Sequence, residues 1–307
     1  RMELVRGVAE YKREHNLPIR DASREQEILK SLSVLGGGEF SGDLTAFFTK
    51  LFQISRGYQS RLFWGDNLSY MDELLRNISP AREPEAVAYQ GVKGSYGEQV
   101  FSELFPQAQA KECASFEDVL KSLQNGADYG ILPIENSSTG GISEVYDLLR
   151  KYGAYIVREH VIKVEQNLLG VPGARIQDIK EVYSHNEGLS QSRDFLAEHP
   201  LWKQVPYYNT AVSAQYVSQS GDPSKAAIAS LRAAEQYGLE VLARGINFNK
   251  NNNTRFIVVS SSFEAEKDAD KMSIYLSLTH ASGALAQMLD IFSEAGINLT
   301  KIESRPI

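Results

Sequence analysis

The sequence predicts a multidomain chain in which an all-α unit is followed by an α/β unit and then by a partial α+β unit. Three observations carry that reading. The 307 residues exceed one ordinary compact domain. The apolar period is helical up to about residue 79 and then changes to short strands alternating with helices. Polar stretches at 79–85 and 263–271 punctuate the chain where its pattern changes. With 42% hydrophobic and 23% charged residues the composition is that of a soluble globular protein. No apolar run approaches the roughly 20 residues that span a bilayer, which argues against membrane insertion. A balance of 32 Lys and Arg against 39 Asp and Glu disfavours nucleic acid as the main partner. The single cysteine, Cys113, has no internal disulfide partner, and five scattered histidines offer no zinc spacing. Reducing cytosol and no metal are the expectation.

The elements follow in order. Leu4, Val8 and Tyr11 recur at helical spacing, and Ile28, Leu29 and Leu32 follow Ser23 and Gln26, which read as a capping box. After the loop Gly36-Gly37-Gly38, a third helix runs from about Asp43 to Phe63 with Phe48, Leu51, Phe52, Ser55, Tyr58, Gln59 and Leu62 on one face. Ser79 to Glu85 has the composition of a linker. Strands are expected at Ala86–Gln90, Tyr129–Pro133, Ala154–Val164, Val182–Ser184, Ala226–Ala229 and Arg255–Ser260, in a mostly buried sheet. Met272–Thr279 alternates as a strand, Gly283–Glu294 is an amphipathic helix and Lys301–Ile307 reads as a second strand, together a small regulatory βαβ unit. Since the chain opens inside a helix and stops on an unclosed βαβ unit, the sequence is expected to be incomplete at both ends.

In the helical unit Asp21, Arg24 and Glu25 share a face, Lys12 and Arg1 project from the preceding helix, and Ser55 and Gln59 interrupt an apolar stripe. Surface ion pairs explain this pattern, as does a site for a small dicarboxylate in a bundle core. In the α/β unit four polar segments lie beside strand ends, where ligands of open sheets bind. Gly91-Val92-Lys93-Gly94-Ser95-Tyr96 opens a helix whose amides can receive a carboxylate. Pro133-Ile134-Glu135-Asn136-Ser137-Ser138-Thr139 holds more hydrogen-bonding side chains than a turn requires. Tyr183-Ser184-His185-Asn186-Glu187 leaves a strand ahead of Gln191, with His185 read as a capping or surface histidine rather than a general acid. Asn251-Asn252-Asn253-Thr254-Arg255-Phe256 enters the last strand, where Arg255 is either a carboxylate clamp or an ordinary ion pair.

These motifs carry resemblances. Arg1-Met2-Glu3-Leu4, Lys12, Pro18 to Glu25 and the Ser55/Gln59 pair resemble the all-helical chorismate mutase family. The Gly-x-Lys-Gly-Ser-Tyr turn, the Pro-Ile-Glu-Asn-Ser-Ser run and the Thr-Arg-Phe triplet resemble the prephenate dehydratase family. Gly283-Ala284-Leu285 and Glu303-Ser304-Arg305-Pro306, in that order, resemble the ACT regulatory domain. The fold implied is a set of chorismate mutase helices over 1–79 without their first helix, then a two-lobed, periplasmic-binding-protein-like prephenate dehydratase over 86–262, then a partial ACT domain over 271–307. Lobe 1 would take about 86–163 and 246–262, and lobe 2 about 164–245.

By the resemblance, Arg1 pairs a chorismate carboxylate, Lys12 and Gln59 donate to the ether oxygen that breaks, Glu25 and Asp21 bind the hydroxyl side, and Ser55 completes the polar pair. The catalytic set of the dehydratase is then Thr254, Asn136, Ser184 and Gln191, with Ser137, Ser138, Thr139 and Arg255 binding prephenate. Gly283, Ala284, Leu285, Glu303, Ser304, Arg305 and Pro306 would hold phenylalanine as effector. The activities implied are Claisen rearrangement of chorismate to prephenate and decarboxylating dehydration of prephenate to phenylpyruvate, with no cofactor, in a homodimer or higher homo-oligomer. The rival readings are a two-lobed small-molecule receptor without catalysis and a dehydratase carrying a non-functional mutase unit.

Overall fold

The computed structural model describes residues 2–15, 17–35, 40–64, 78–266, 268–294 and 296–305. Its contacts divide the chain into two units, Arg1–Asn77 with Leu276–Ile307, and Ile78–Tyr275.

The first unit is helical: α1 (Met2–Glu14), α2 (Ala22–Leu35) and α3 (Ser41–Trp64), with α3 packed on both α1 and α2. The apolar row of α1 lies on the opposite side from the one that packs. Leu4, Val8 and Tyr11 are exposed, while Ala9 is buried beside Leu62 of α3. A small residue at the contact lets the two backbones approach, and the Arg13 guanidinium donates to the Leu62 carbonyl at 3.4 Å. The cap of α2 is also displaced from the predicted box. Asp21, not Ser23, accepts from the Arg24 amide at 3.0 Å, because the helix starts as the chain leaves the extended Pro18 segment.

The second unit runs β1 (Ser79–Pro80), β2 (Ala86–Gln90), α4 (Tyr96–Leu104), β3 (Gln109–Cys113), α5 (Phe116–Gln124), β4 (Tyr129–Asn136), β5 (Gly140–Gly141), α6 (Ser143–Tyr152) and β6 (Tyr155–Lys163). It continues with β7 (Asn167–Gly170), β8 (Glu181–Ser184), α7 (Asn186–Gln191), α8 (Arg193–Ala197), β9 (Lys203–Pro206), α9 (Thr210–Ser220), β10 (Lys225–Ala229), α10 (Leu231–Tyr237), β11 (Glu240–Ala243), β12 (Asn253–Ser260) and β13 (Glu264–Ala265). Three sheets result among the described residues: two large ones in the orders β3-β2-β4-β12-β6, with β5 paired to β4, and β11-β7-β10-β8-β9, and a small one of β1 and β13. The chain therefore leaves the first lobe after β6, builds the second, and returns to insert β12 antiparallel between β4 and β6.

Alternation along β12 explains why it belongs in the middle. Ile257 and Val259 join Ala88, Leu132 and the helices α5 and α6 on one face, while Phe256 and Val258 join Val87, Tyr89, Ile131 and α4 on the other. A strand apolar on both faces has to be covered on both.

The predicted linker is not free. β1 pairs parallel with β13, the Ser79 amide donates to Phe263 at 3.2 Å, and the Ala81 amide donates to Ala265 at 3.1 Å. Both polar stretches are stitched around Glu264, a carboxylate only 4% exposed that accepts from the Tyr129 hydroxyl at 2.6 Å. Composition shows the polarity of such a stretch but not the buried charge that organises it. Beyond Tyr275 the chain forms α11 (Ala284–Glu294), whereas 272–279 and 301–305 carry no strand. The predicted βαβ unit is thus reduced to its helix among the described residues, because an alternating segment becomes a strand only when another strand pairs with it.

Candidate active site

The polar segments at the ends of β4, α7 and β12 meet where the crossover segments 164–166 and 246–252 pass between the two large sheets. Their hydrogen bonds have a fixed direction, and it starts from the backbone. The amides of Ser138 and Thr139 can only donate, and both point at Asn136 Oδ1, at 2.8 and 3.3 Å. The other end of that side chain must therefore be the NH2 group, which donates to Thr254 Oγ1 at 2.8 Å and to Asn252 Oδ1 at 2.7 Å. Asn252 Nδ2 then donates to Gln191 Oε1 at 2.9 Å, and Gln191 Nε2 donates to Glu187 at 3.1 Å. Gln166 Nε2 also donates to Gln191 Oε1, at 3.1 Å.

Two consequences follow at the ends of this chain. Thr254, 8% exposed, has its oxygen occupied as an acceptor and its proton free of any acceptor among the described residues. Glu187, exposed, closes the far end as an acceptor of the Gln191 amide. Of the predicted catalytic residues, the structure brings together Asn136, Thr254 and Gln191. It adds Asn252 and Gln166, 1% and 3% exposed.

Other predicted residues have different work. The Ser184 hydroxyl is fully buried and donates to the Ile228 carbonyl at 2.8 Å, tying the end of β8 to β10. Ser137 donates to the Asn251 carbonyl at 2.8 Å and accepts from the Asn253 amide at 2.9 Å, while Ser138 accepts from Asn249 at 3.0 Å. Both serines clamp the loop before β12, and Thr139 is exposed.

Arg255 resolves as the ion pair, not the clamp. It contacts Glu135 at 2.8 Å and Glu159 at 3.1 Å, and Glu159 also takes Lys271. Burial opposes the Arg255 charge, but the hydrogen bonds and charge of the two glutamates outweigh it and hold the guanidinium above its ordinary range. Strand alternation makes this unavoidable, since a residue next to Thr254 faces away from it.

His185 caps α7, its Nδ1 accepting from the Glu187 amide at 3.3 Å, as read from the sequence. The glycine turn before α4 docks the second lobe instead of offering amides to an anion. Gly94, at φ +83°, lies so close to Ala233 of α10 that a Cβ would approach its backbone to 3.0 Å. Ser230 donates to the Gly94 carbonyl at 3.2 Å and Tyr237 donates to the Lys93 carbonyl at 2.7 Å. Arg232 clasps Glu98 at 2.5 and 2.6 Å. Burial alone would raise the Glu98 carboxyl, yet hydrogen bonds from Arg232, Ser102 and the Gly94 amide leave it below the usual range.

In the helical unit Gln59, 5% exposed, donates to Ser55 Oγ at 3.1 Å, and Gln59 Oε1 is buried without a partner among the described residues. Glu25 receives both oxygens' contacts from Arg56, at 2.5 and 2.6 Å, an arginine absent from the sequence reading. Lys12 donates to the Ile19 carbonyl at 2.6 Å, and Asp21 is committed to its cap. Arg1 lies outside the described residues, as does Pro306. At the start of α11, Gly283 sits at φ +81° and Leu285 is 46% exposed; Glu303 and Ser304 are exposed, and Ala284 and Arg305 are half-buried.

Comparison with known proteins adds the family. Residues 87–264 match the family model for prephenate dehydratase and residues 1–60 that for chorismate mutase type II. A bifunctional chorismate mutase/prephenate dehydratase from Enterobacter agglomerans is 32% identical over 98% of this chain and 77% of its own. An arogenate dehydratase/prephenate dehydratase from Arabidopsis thaliana is 39% identical over 72% of this chain and 57% of its own. A crystal structure of prephenate dehydratase from Arthrobacter aurescens in complex with L-Phe superposes with a TM-score of 0.62 at 32% identity, covering 72% of this chain and 76% of that one.

Proposed function

The chain belongs to the bifunctional chorismate mutase/prephenate dehydratase family, and on that premise we propose that it converts chorismate to prephenate and prephenate to phenylpyruvate, for phenylalanine biosynthesis. One observation carries the dehydratase reading at the level of residues: the amide chain that begins at the Ser138 and Thr139 amides presents the Thr254 O–H as an unoccupied donor. In the reaction the bond to the ring carboxylate breaks and releases carbon dioxide. Its electron pair enters the ring, and the ring oxygen departs with the C–O pair, taking a proton from solvent to become water. The site has to stabilise charge on that departing oxygen. A donor whose own acceptor side is already held by Asn136 does so without reorienting. Thr254 stabilises the oxygen and keeps its proton, since a threonine is a poor acid. Asn136, Asn252 and Gln191 orient it, and Ser184 acts only through the turn it holds.

The mutase step is unimolecular and needs no proton from the protein, so its site has only to hold a conformer and place charge. Ser55 Oγ both donates and accepts, and the Ser55–Gln59 contact is therefore compatible with Gln59 turned so that its Nε2 takes the buried, unpartnered position and is free to donate to the ether oxygen. Lys12 supplies the second donor, and Arg56 keeps Glu25 from standing in the site as a bare carboxylate.

For regulation we propose that residues 271–307 belong to an ACT-type unit that binds phenylalanine through Gly283 to Leu285 and Glu303 to Pro306. The order of these motifs after a dehydratase unit supports this. The oligomeric state proposed is a homodimer or higher, and the compartment the cytoplasm; among the described residues no helix is long and apolar enough to cross a membrane. The test is direct: purified chain is given prephenate and then chorismate while phenylpyruvate absorbance is followed. Phenylpyruvate from prephenate is the expected result, and its absence from an intact folded chain overturns the dehydratase reading.

A further inference from the structure

Gln166 stands out among the buried polar groups of the second unit. Its side chain leaves the crossover segment between β6 and β7, its backbone is fixed at both ends by the Asn247 side chain and the Ile246 amide, and the residue is 3% exposed. Its amide cannot turn over. Gln191 Oε1 already serves as acceptor for Asn252 Nδ2, so the group that Gln166 presents to it must be the NH2. The same backbone-anchored chain that makes Thr254 a free donor thus makes Gln166 Oε1 a free acceptor, and this atom has no hydrogen-bond donor among the described residues. An acceptor held in that state is costly to the ligand-free protein, by an amount that a bound donor returns.

We propose that Gln166 contacts substrate, its Oε1 accepting a hydrogen bond from the ring hydroxyl of prephenate. This rests on the dehydratase reading above. Chemistry selects that hydroxyl: at neutral pH the two carboxylates and the keto group of prephenate are acceptors only, and the ring hydroxyl is its single donor. The hydroxyl then donates to Gln166 and accepts from Thr254, the free acceptor and the free donor of the same network. Its oxygen is aimed at Thr254 before the C–O bond breaks, and an ether or a hydrogen at that ring position is bound less tightly. Gln166 therefore acts in selecting and orienting the leaving group, while Thr254 stabilises its charge.

The test uses a ring-saturated prephenate analogue, which keeps both carboxylates and the hydroxyl but cannot aromatise, and the same compound without the hydroxyl. Binding of both to the full wild-type chain and to Gln166→Met and Gln166→Leu chains is measured by titration calorimetry. Wild type is expected to prefer the hydroxylated analogue. In either variant that preference should shrink on the order of tenfold while affinity for the deoxy analogue is kept. Equal weakening toward both analogues, with the preference unchanged, overturns the proposal, because a residue that only shapes the turn affects them alike. If neither variant keeps the wild-type melting profile, the wild-type pair decides: no preference for the hydroxyl overturns it. The two levels separate cleanly. A chain that makes no phenylpyruvate refutes the dehydratase reading, whereas an active chain with an unchanged hydroxyl preference refutes only the role of Gln166.

Discussion

Two buried glutamines, Gln59 in the helical unit and Gln166 in the α/β unit, each keep a carbonyl oxygen without a partner among the described residues, yet they are not in the same situation. Gln59 meets a hydroxyl, which donates and accepts equally well, so its amide serves in either sense. Gln166 lies at the end of a line of amides that leads back to two peptide N–H groups, and every member of that line has one permitted orientation. The difference matches the reactions. A pericyclic rearrangement needs charges and donors near a compact conformer, and a reversible contact is enough. On the proposed assignment, expelling an oxygen needs one donor at one place, and a line of amides with one permitted direction supplies it.

Removing the end of that network breaks the comparison most sharply. Thr254→Val should lower dehydratase turnover by about a hundredfold or more with little change in Michaelis constant, measured as phenylpyruvate formation, while chorismate consumption in the same sample is unchanged. A variant in which both rates fall together would point to a folding defect shared by the units and not to a lost donor.

On the mutase side, Arg56→Met leaves Glu25 as an unpartnered, half-buried carboxylate apart from the distant Arg20 at 3.9 Å. Mutase kcat/KM should fall roughly tenfold, a smaller loss than at Thr254 because the pair is partly solvated. The dehydratase rate is the internal control. An unchanged mutase would remove Arg56 from the site.

The smallest effect concerns the clasp between the lobes. Glu98 has a depressed carboxyl pKa, so its contribution to stability is fully present above the ordinary glutamate value and is lost as pH falls through the lower, folded-state value. Arg232 is 38% exposed, which limits the effect to about 1 kcal/mol. Melting followed from neutral to acidic pH should show Glu98→Gln below wild type near neutrality and converging with it in acid. Parallel curves at all pH values would place the Glu98 contribution in packing instead of charge.

How much of this was legible beforehand depended on distance along the chain. Thr254, Asn136 and Gln191 sit inside short motifs whose residue types announce hydrogen bonding, and the alternating period of β12 announces a strand buried on both faces. Asn252 was visible only as one of three consecutive asparagines. Gln166 gave no local signal, because its role is created by residues 25 and 61 positions away from their partners being brought together. Arg255 left two readings open for the same reason: its partner Glu135 lies 120 residues distant. In α1 the period revealed a helix but not which side would pack, since a buried alanine weighs less in a hydrophobic pattern than three large exposed side chains. The predicted strands around α11 depended on pairing, which alternation alone does not provide.

The central claim is that Asn136 gives Thr254 its sense as a donor, and Asn136→Asp tests it with almost no change in shape. An aspartate still accepts from the Ser138 and Thr139 amides but has nothing to donate, so the Thr254 proton turns toward the new carboxylate and away from the substrate. Steady-state kinetics with prephenate should then show turnover reduced by about a hundredfold, approaching the loss at Thr254→Val, in a chain that melting shows to be folded. Wild-type turnover in a folded Asn136→Asp chain would contradict the account.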